Sequence, residues 1–350
     1  MSNTALSPIF VGGCVRSGTT MLGAMIGAHP QCLCVPESQF KEDLIQSFDR
    51  PIAQVSPLEV LRFIEATRRF QIWELPLDLS RLSDSDFADS YRSVIDWLVR
   101  EYGRVQGKVH FKFWVDHTPS NIRFGHTLVE HFPEAKLIHI VRDGRAVASS
   151  LLPLDWGPNT IDKAAYAWMQ GMSIGLAAEK FWESDRMIRV RYEDLVRDPD
   201  STLENICKFL KIDYRPEMAE GNGFSVPKYT AKQHSLVGRR PDPTRVEGWK
   251  KSLTSRQIEI YESIAAELLY YLGYELCFGW RARKITRMER RLGVIREFCR
   301  KKIANRFRLR RRSLGNLRFH EMTGDRDVVR NLLQRGVRGF VEGHFERPRL

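Results

Sequence analysis

A glycine-framed loop near the start of the chain has the residue types of an anion-binding site. The short apolar run Ile9–Val11 leads into Gly13-Cys-Val-Arg-Ser-Gly18, and a helical pattern begins directly afterwards. The first backbone N–H groups of a helix have no partner within it, and the helix dipole adds partial positive charge there. Glycine lets the backbone approach a ligand closely. We therefore expect a phosphate or sulfate group to bind at Arg16, Ser17, Gly18, Thr19 and Thr20.

This loop differs from the phosphate loop of kinases and ATPases in one important residue. Its glycine spacing is the same, G-x₄-G, but Thr19 stands where those enzymes carry the lysine that contacts the β- and γ-phosphates. The cation is instead Arg16, inside the loop. This pattern favours one terminal phosphate or sulfate over a triphosphate with Mg²⁺. A P-loop-like kinase or NTPase stays an alternative, as does a strand–turn–helix corner that binds nothing.

A second cationic site is predicted after a buried strand. The apolar run Leu137–Val141 is typical of a strand in a parallel sheet. Arg142 follows it at once, and Ser150 lies on the next predicted helix. Ligands of open α/β sheets bind at the carboxyl ends of the strands, where an arginine can bind a phosphate through two N–H groups. The alternative is a solvated turn, Arg142-Asp-Gly-Arg145, with a local ion pair.

Taken in order, these segments resemble those of sulfotransferases that use 3′-phosphoadenosine 5′-phosphosulfate (PAPS). The resemblance is greatest to the tyrosylprotein sulfotransferases and related bacterial enzymes, and it extends over about residues 8–276. It rests on Phe10–Leu22 with Ala28-His-Pro30, on Ile138–Ala146, on Arg191-Tyr-Glu-Asp-Leu195 and on Leu272-Gly-Tyr274.

The resemblance implies transfer of a sulfuryl group from PAPS to an acceptor hydroxyl. It implies that the first loop holds the 5′-phosphosulfate, that Arg142 and Ser150 hold the 3′-phosphate, and that Tyr192 contacts the cofactor. Core packing is an equal alternative for Tyr192. The transferred group carries little charge, so we expect no metal ion to be required.

Two further residues are expected at the reacting centre. Glu37 aligns with the family's catalytic glutamate, and a helix followed by a second strand would return the chain to the loop and place this general base above it. An exposed loop acid is the alternative. His117 stands where the family usually has a lysine that assists the leaving phosphate. It can donate a proton if Asp116 or a phosphate raises its pKa; a structural or acceptor-binding histidine is the alternative.

The acceptor is expected to differ from an acidic peptide. Tyrosylprotein sulfotransferases read acidic peptides with arginines just after the catalytic glutamate, and Gln39 and Asp43 occupy those positions here. A hydroxyl group of a carbohydrate, a lipid-linked sugar or a small metabolite is therefore the expected acceptor.

Alternating strands and helices predict the elements that must position these residues. They indicate an α/β class, with a P-loop-like three-layer fold and a central, mostly parallel sheet flanked by helices. We expect helices over 163–182, 200–210 and 255–272 and a strand over 187–192. Residues 1–279 hold 33 basic and 36 acidic side chains, whereas residues 280–312 hold 15 and 2. We therefore predict a sulfotransferase domain over 1–279 and a basic helical extension over 280–350.

The basic extension contains a candidate amphipathic helix over residues 283–312, with apolar residues every three or four positions. Such a helix can pack on the main domain, lie on an anionic membrane, bind a polyanionic acceptor or contact nucleic acid. A nucleic-acid-binding protein is thus a second functional alternative, although it leaves Arg142 and Ser150 unexplained. We expect a peripheral membrane contact and no nucleic acid partner.

Cysteine usage and the first residues favour a reducing compartment. None of the six cysteines forms a C-x-x-C pair, and Cys32 and Cys34 lack the accompanying spacing of a zinc site. Free thiols are the simpler interpretation. Residues 1–8 lack the pattern of a signal peptide, and no run reaches the ~18 apolar residues of a membrane span. We therefore expect a cytoplasmic location.

Overall fold

Five parallel strands form the centre of the structure. The computed structural model describes residues 6–154, 157–227 and 237–300. The strands in these ranges lie side by side in the order β2-β3-β1-β4-β5. Phe10 of β1 lies opposite Asp116 on one side and Leu137 on the other. This arrangement confirms the predicted P-loop-like α/β fold. The strands are β1 (Ser7–Gly13), β2 (Cys32–Val35), β3 (Phe113–Asp116), β4 (Lys136–Val141) and β5 (Met187–Arg191).

The sheet is the middle of three layers because alternate side chains of its strands enter apolar cores on opposite faces. Phe10 and Leu137 pack into one core, whereas Ile9 and Ile138 pack into the other. Successive side chains of a strand point to opposite faces. A strand that lies between two cores must therefore be apolar at nearly every position. This explains the nearly continuous apolar run Leu137–Val141, which His139 interrupts.

The helices that cover the sheet match the sequence pattern closely. The helices expected over 163–182, 200–210 and 255–272 are α8, α10 and α12, and Thr254 with Gln257 forms a capping box at the start of α12. Strand β3 was not expected, because its four residues are too few to show a period. The helices in the described residues are α1 (Thr19–Gly27), α2 (Phe40–Ser47), α3 (Pro57–Ala66), α4 (Arg68–Gln71), α5 (Arg92–Val105), α6 (Gly125–His131), α7 (Gly144–Leu151), α8 (Ile161–Phe181), α9 (Tyr192–Arg197), α10 (Pro199–Leu210), α11 (Trp249–Ser252), α12 (Ser255–Tyr271) and α13 (Arg287–Cys299).

The basic segment begins within the same compact unit as the sheet. That unit comprises Met1–Glu297, and a second unit comprises Phe298–Leu350. Residues 301–350 lie outside the described residues, so the helix expected over 283–312 is described only up to residue 300, where it contains α13. The division of the chain at residues 279 and 280 stays a prediction. Among the described helices, none is both long and apolar enough to cross a bilayer.

Candidate functional site

Each of the five strands ends beside a residue that the sequence singled out. The carboxyl ends of parallel strands lie at one edge of a sheet, which is where α/β proteins bind ligands. The fold therefore brings together segments that are far apart in the chain. Strand β1 leads into the loop Cys14–Gly18, β2 towards Glu37, β3 into His117, β4 into Arg142, and β5 into Tyr192, the first residue of α9.

The loop between β1 and α1 turns through two left-handed residues. The φ angles are 69° at Arg16 and 101° at Gly18. The N–H group of Ser17 donates to the carbonyl oxygen of Cys14 at 3.1 Å, which closes the turn. Thr19 and Thr20 form the buried first turn of α1, where backbone N–H groups have no helical partner. The loop thus has the local geometry that the sequence predicts for an anion-binding site.

Tyr192 packs against this loop and against Arg142. A Cβ atom added to Gly18 would lie 2.6 Å from Cδ2 of Tyr192, so only glycine fits there. The guanidinium group of Arg142 lies 4.0 Å from the centroid of the tyrosine ring, a favourable cation–π distance. Tyr192 also belongs to the apolar core that contains Ile9 and Ile138. It therefore serves core packing and, at the same time, orients Arg142.

The two predicted phosphate sites are directly connected. Arg142 donates a hydrogen bond from Nη1 to the carbonyl oxygen of Arg16 at 2.8 Å, and Nε of Arg16 donates to Oγ of Ser150 at 3.0 Å. Burial, and then the positive charge of Arg142, lower the pKa of Arg16. Two guanidinium groups held this close repel each other, so an anion that binds between them relieves the repulsion.

Several buried polar atoms at this edge lack a hydrogen-bond partner within the described residues. They include Oγ of Ser17, Nε of Arg142 and both ring nitrogens of His117. Most buried polar groups in proteins are hydrogen-bonded, so unpaired groups that converge on one place indicate a ligand site. Hydroxyl and guanidinium donors suit phosphate and sulfate oxygens. The site residues therefore fit a nucleotide that carries phosphate and sulfate groups, such as PAPS.

Glu37 is tied to the same edge of the sheet by its neighbour. The N–H group of Ser38 donates to Oγ1 of Thr118 at 2.8 Å, which joins the segment after β2 to the segment after β3. The carboxylate of Glu37 is partly exposed and lies 4.0 Å from Nη1 of Arg69. Burial lowers the pKa values of both Arg16 and His117, and the negative charge of Glu37 opposes this lowering in each. Glu37 therefore lies within electrostatic reach of the loop and of the histidine.

His117 is buried between α1 and the segment that contains Phe224. Its ring lies 5.0 Å from that of Phe224, and a Cβ atom added to Gly23 would be 2.8 Å from Cβ of the histidine. Burial lowers the pKa of His117, although Glu37 and Asp116 act in the opposite direction. The imidazole is therefore neutral at pH 7 in the ligand-free protein.

The carboxylate of Asp116 is bound by groups other than His117. It forms a fully buried ion pair with Lys41 of α2 and accepts hydrogen bonds from the N–H and Oγ1 of Thr118 at 2.8 and 2.5 Å. Burial opposes ionisation, but Lys41 and these donors hold the pKa of Asp116 below its usual value. The sequence offered Asp116 as one group that could keep His117 charged, and the structure assigns this carboxylate to Lys41 instead. Lys41 was not foreseen, because one lysine in a charged helical segment resembles a surface residue.

Arg145 shows that the segment after β4 is not a solvated turn. Its side chain is 2% exposed, binds Asp143 at 2.7 Å and Glu262 at 2.6 Å, and lies 4.1 Å from the ring centroid of Trp249. A Cβ atom added to Gly144 would lie 2.0 Å from Oη of Tyr261. The Asp-Gly-Arg sequence therefore anchors the strand end to α12 while Arg142 points towards the loop.

Three of the segments that carry the family resemblance meet behind Arg142. The N–H of Asp143 donates to Oε1 of Glu193 at 2.9 Å, and the hydroxyl of Tyr274 donates to Oε2 at 3.1 Å. Arg191 lies over the ring of Tyr274 and donates to the carbonyl oxygen of Leu272. These segments therefore have a shared structural role, which is to support the Arg142 side of the site.

Comparisons with known proteins agree with this geometry. A family model described as "Sulfotransferase family" matches residues 8–216. The chain is 25% identical over 284 residues to a protein-tyrosine sulfotransferase of Drosophila melanogaster, covering 78% of this chain and 52% of that one. It is 23% identical over 287 residues to protein-tyrosine sulfotransferase 1 of Danio rerio, covering 78% and 74%. The chain thus spans about half the length of the first relative and about three quarters of the second.

A solved structure has the same fold. The sulfotransferase domain from the olefin synthase of Synechococcus PCC 7002 superposes with a TM-score of 0.51, at 24% identity, and covers 79% of this chain and 98% of that domain. Because the family model matches more than half of the chain, membership of the family does not depend on similarity to any single relative. The chain therefore belongs to the sulfotransferase family.

Proposed function

We propose that this protein transfers a sulfuryl group from PAPS to an acceptor hydroxyl. The observation that carries the proposal is the cluster of Arg16, Arg142 and Ser150, joined by hydrogen bonds of 2.8 and 3.0 Å at the carboxyl ends of β1 and β4. Because these groups are in contact, one bisphosphorylated nucleoside can reach both Arg16 and Arg142. The unpaired buried Oγ of Ser17 and Nε of Arg142 supply donors for it.

In this proposal the donor is held by two sets of groups. The backbone N–H groups of Gly18, Thr19 and Thr20, with Ser17 and Arg16, bind the 5′-phosphosulfate. Arg142 and Ser150 bind the 3′-phosphate, which distinguishes PAPS from ATP. Tyr192 keeps Arg142 in place by its 4.0 Å cation–π contact and lines the cofactor site.

PAPS, when bound, supplies the sulfuryl group. Glu37 accepts the proton of the acceptor hydroxyl as general base. Arg16 and the loop N–H groups stabilise negative charge on the transferring group. His117 donates to the leaving phosphate oxygen, and we propose that a phosphate, rather than Asp116, keeps it charged. No metal ion is required, because the transferred group carries little charge.

We propose that the acceptor is a carbohydrate, a lipid-linked sugar or a small metabolite. Gln39 and Asp43, which follow Glu37, cannot bind an acidic peptide as arginines do. We also propose a cytoplasmic location with a peripheral membrane contact through residues 283–312. The six cysteines are all unpaired and four of them are buried, which suits a reducing compartment.

The decisive experiment is a calorimetric titration of the full chain with 3′-phosphoadenosine 5′-phosphate (PAP), ATP and AMP in EDTA. We expect PAP to bind much more tightly than ATP or AMP, since only PAP engages both halves of the cluster. Equal affinity for ATP in EDTA would contradict the proposal, and so would ATP binding that appears when Mg²⁺ replaces EDTA in a second titration. A screen of hydroxyl acceptors with labelled PAPS then identifies the acceptor.

A variant separates the two phosphate sites. Arg142→Ala is expected to weaken PAP far more than adenosine 5′-phosphosulfate, which lacks the 3′-phosphate. Arg62→Ala, on the exposed face of α3, is the matched control and should change neither affinity. Equal losses for both ligands in Arg142→Ala would argue against a 3′-phosphate role for this residue.

A further inference from the structure

Helix α13 packs on the domain with its polar face, which is the reverse of an ordinary surface helix. Glu289 accepts hydrogen bonds from Nε and Nη2 of Arg256 at 2.8 and 2.9 Å. Glu297 is buried and forms an ion pair with Lys163. A Cβ atom added to Gly293 would lie 3.3 Å from Cγ2 of Thr160. Positions 289, 293 and 297 are four residues apart, so they form one face of the helix.

The apolar residues of α13 lie on a different face and are exposed to solvent. Met288, Leu292 and Ile295 are 71%, 56% and 59% exposed, and their spacing of four and three residues places them in one stripe. Exposed Arg291 and Arg296 lie on either side of this stripe. The domain therefore binds the acidic side of the helix and leaves its apolar stripe uncovered within the described residues.

The charges around this stripe have one sign. Residues 280–300 contain eight arginine or lysine residues and two glutamates. Both glutamates face the domain, where Arg256 and Lys163 neutralise them. The outward side of α13 thus combines apolar side chains with positive charge alone, and its electrostatic complement is an anionic surface.

We propose that α13 docks on the surface of an anionic membrane, with Met288, Leu292 and Ile295 entering the boundary between headgroups and acyl chains; this inference rests on the proposed peripheral membrane contact and assigns it to one face of one helix. Arg291 and Arg296 then bind lipid phosphates. A bilayer surface matches both the apolar and the cationic parts of this face, whereas a nucleic acid would match the cations alone. Packing of the apolar stripe on the described part of the domain is excluded, because that contact is made by Glu289, Gly293 and Glu297.

The test is co-sedimentation of the full chain with vesicles of phosphatidylcholine alone or mixed with phosphatidylserine. We expect binding to the mixed vesicles only, with binding reduced by salt. Leu292→Asp/Ile295→Asp should weaken binding by about tenfold or more, because it places charge in the apolar stripe. Arg291→Gln/Arg296→Gln should weaken it as well.

A matched control introduces an aspartate at an exposed apolar residue outside α13. Phe181→Asp, at the 66% exposed end of α8, should bind vesicles as the wild type does. Far-UV circular dichroism of every variant reports whether it is folded, so the vesicle test does not depend on PAP binding. Failure of the wild type to bind mixed vesicles overturns the proposal. The proposal is also overturned if Leu292→Asp/Ile295→Asp binds the mixed vesicles as strongly as the wild type does. If added DNA then displaces this variant from the vesicles, the contact is one between cations and a polyanion instead.

Discussion

At the scale of single residues, Glu37 is the group whose chemistry is easiest to isolate. Glu37→Gln keeps the shape of the side chain but removes the base, so turnover should fall by roughly 10²–10⁴. PAP affinity should persist, because Glu37 lies outside the loop that holds the nucleotide. Steady-state rates and calorimetry measure the two quantities. Exposed Glu204→Gln on α10 is the control, and wild-type turnover in Glu37→Gln would remove this residue from the mechanism.

Arg16 combines a functional charge with a strained backbone. Its φ of 69° is left-handed, a conformation that costs a residue with a Cβ atom about 1 kcal/mol. Arg16→Gly and Arg16→Ala both remove the guanidinium group, but only glycine relieves the strain. We expect both variants to lose PAP affinity equally, and Arg16→Gly to be the more stable in chemical denaturation by about 1 kcal/mol. Equal stability of the two variants would show that the loop relaxes in the free protein.

The buried position of His117 leads us to expect that nucleotide binding is coupled to proton uptake. The imidazole is buried and neutral in the free protein, and the charged groups that act on it are Glu37, Asp116 and Lys41. A phosphate dianion brought close to it should raise its pKa, so the protein should take up as much as about one proton per PAP near pH 7. Calorimetry in buffers of different ionisation enthalpy measures this uptake.

The proton uptake has a specific control. His117→Gln should bind PAP without the proton, and His117→Lys should also bind without uptake if the lysine is already charged. Uptake that persists unchanged in His117→Gln would assign the proton to another group. Absence of PAP binding in the wild type would instead refute the nucleotide site itself.

At the scale of elements, the buried pair between α2 and β3 holds the reacting centre together. Lys41 bridges Asp116 and the carbonyl oxygen of Ser38, directly beside Glu37. Breaking one partner of a buried ion pair costs about 3–5 kcal/mol, whereas replacing both with apolar residues costs far less. Lys41→Met should therefore reduce the free energy of unfolding by that amount, and Lys41→Met/Asp116→Leu should recover part of it.

A surface pair provides the comparison for Lys41. Arg50 and Glu59 are 49% and 47% exposed, so Arg50→Met should change the free energy of unfolding by less than about 1 kcal/mol. Urea denaturation measures all three variants. If Lys41→Met costs no more than Arg50→Met, the buried pair is not a structural anchor of the Glu37 segment.

At the scale of the whole molecule, one carboxylate on α8 links the sheet to its helical layer. Glu179 binds Nδ1 of His139 at 2.5 Å and Nε of Arg189 at 2.8 Å. Helix α8 approaches β4 closely there because residue 175 is a glycine. A Cβ atom at this position would lie 2.2 Å from Cε1 of His139. Burial opposes ionisation of Glu179, but these two partners lower its pKa from 4.5 to about 2.

This lowered pKa makes stability depend on pH in a defined window. The carboxylate contributes its full stabilisation, about 3 kcal/mol, above the unfolded-state pKa, and the contribution is lost as pH falls from 4.5 to about 2. Glu179→Gln should therefore be less stable than the wild type at pH 6, and the difference should shrink below pH 4.5. Glu130→Gln, in an exposed pair with His126, is the control. A difference that stays constant with pH would refute the linkage.

Local patterns in the sequence determined the units of this fold and the positions of the candidate residues within them. Apolar runs that end at Gly13, Arg142 and Tyr192 specify strand-to-helix corners, because backbone conformation responds to neighbouring residues. Since the carboxyl ends of parallel strands share one edge, these corners already imply one site. The four-residue strand β3 escaped detection, because so short a segment has no readable period.

Only the tertiary structure decided which side chains meet. Strand order brings Arg142 onto the carbonyl of Arg16 and lets Lys41 take the carboxylate of Asp116. It leaves the ring nitrogens of His117 buried without a hydrogen-bond partner among the described residues. It also turns the glutamates of α13 inwards and its apolar stripe outwards. Such pairings depend on competition between groups far apart in the chain and on the loss of their water, neither of which the order of residues displays.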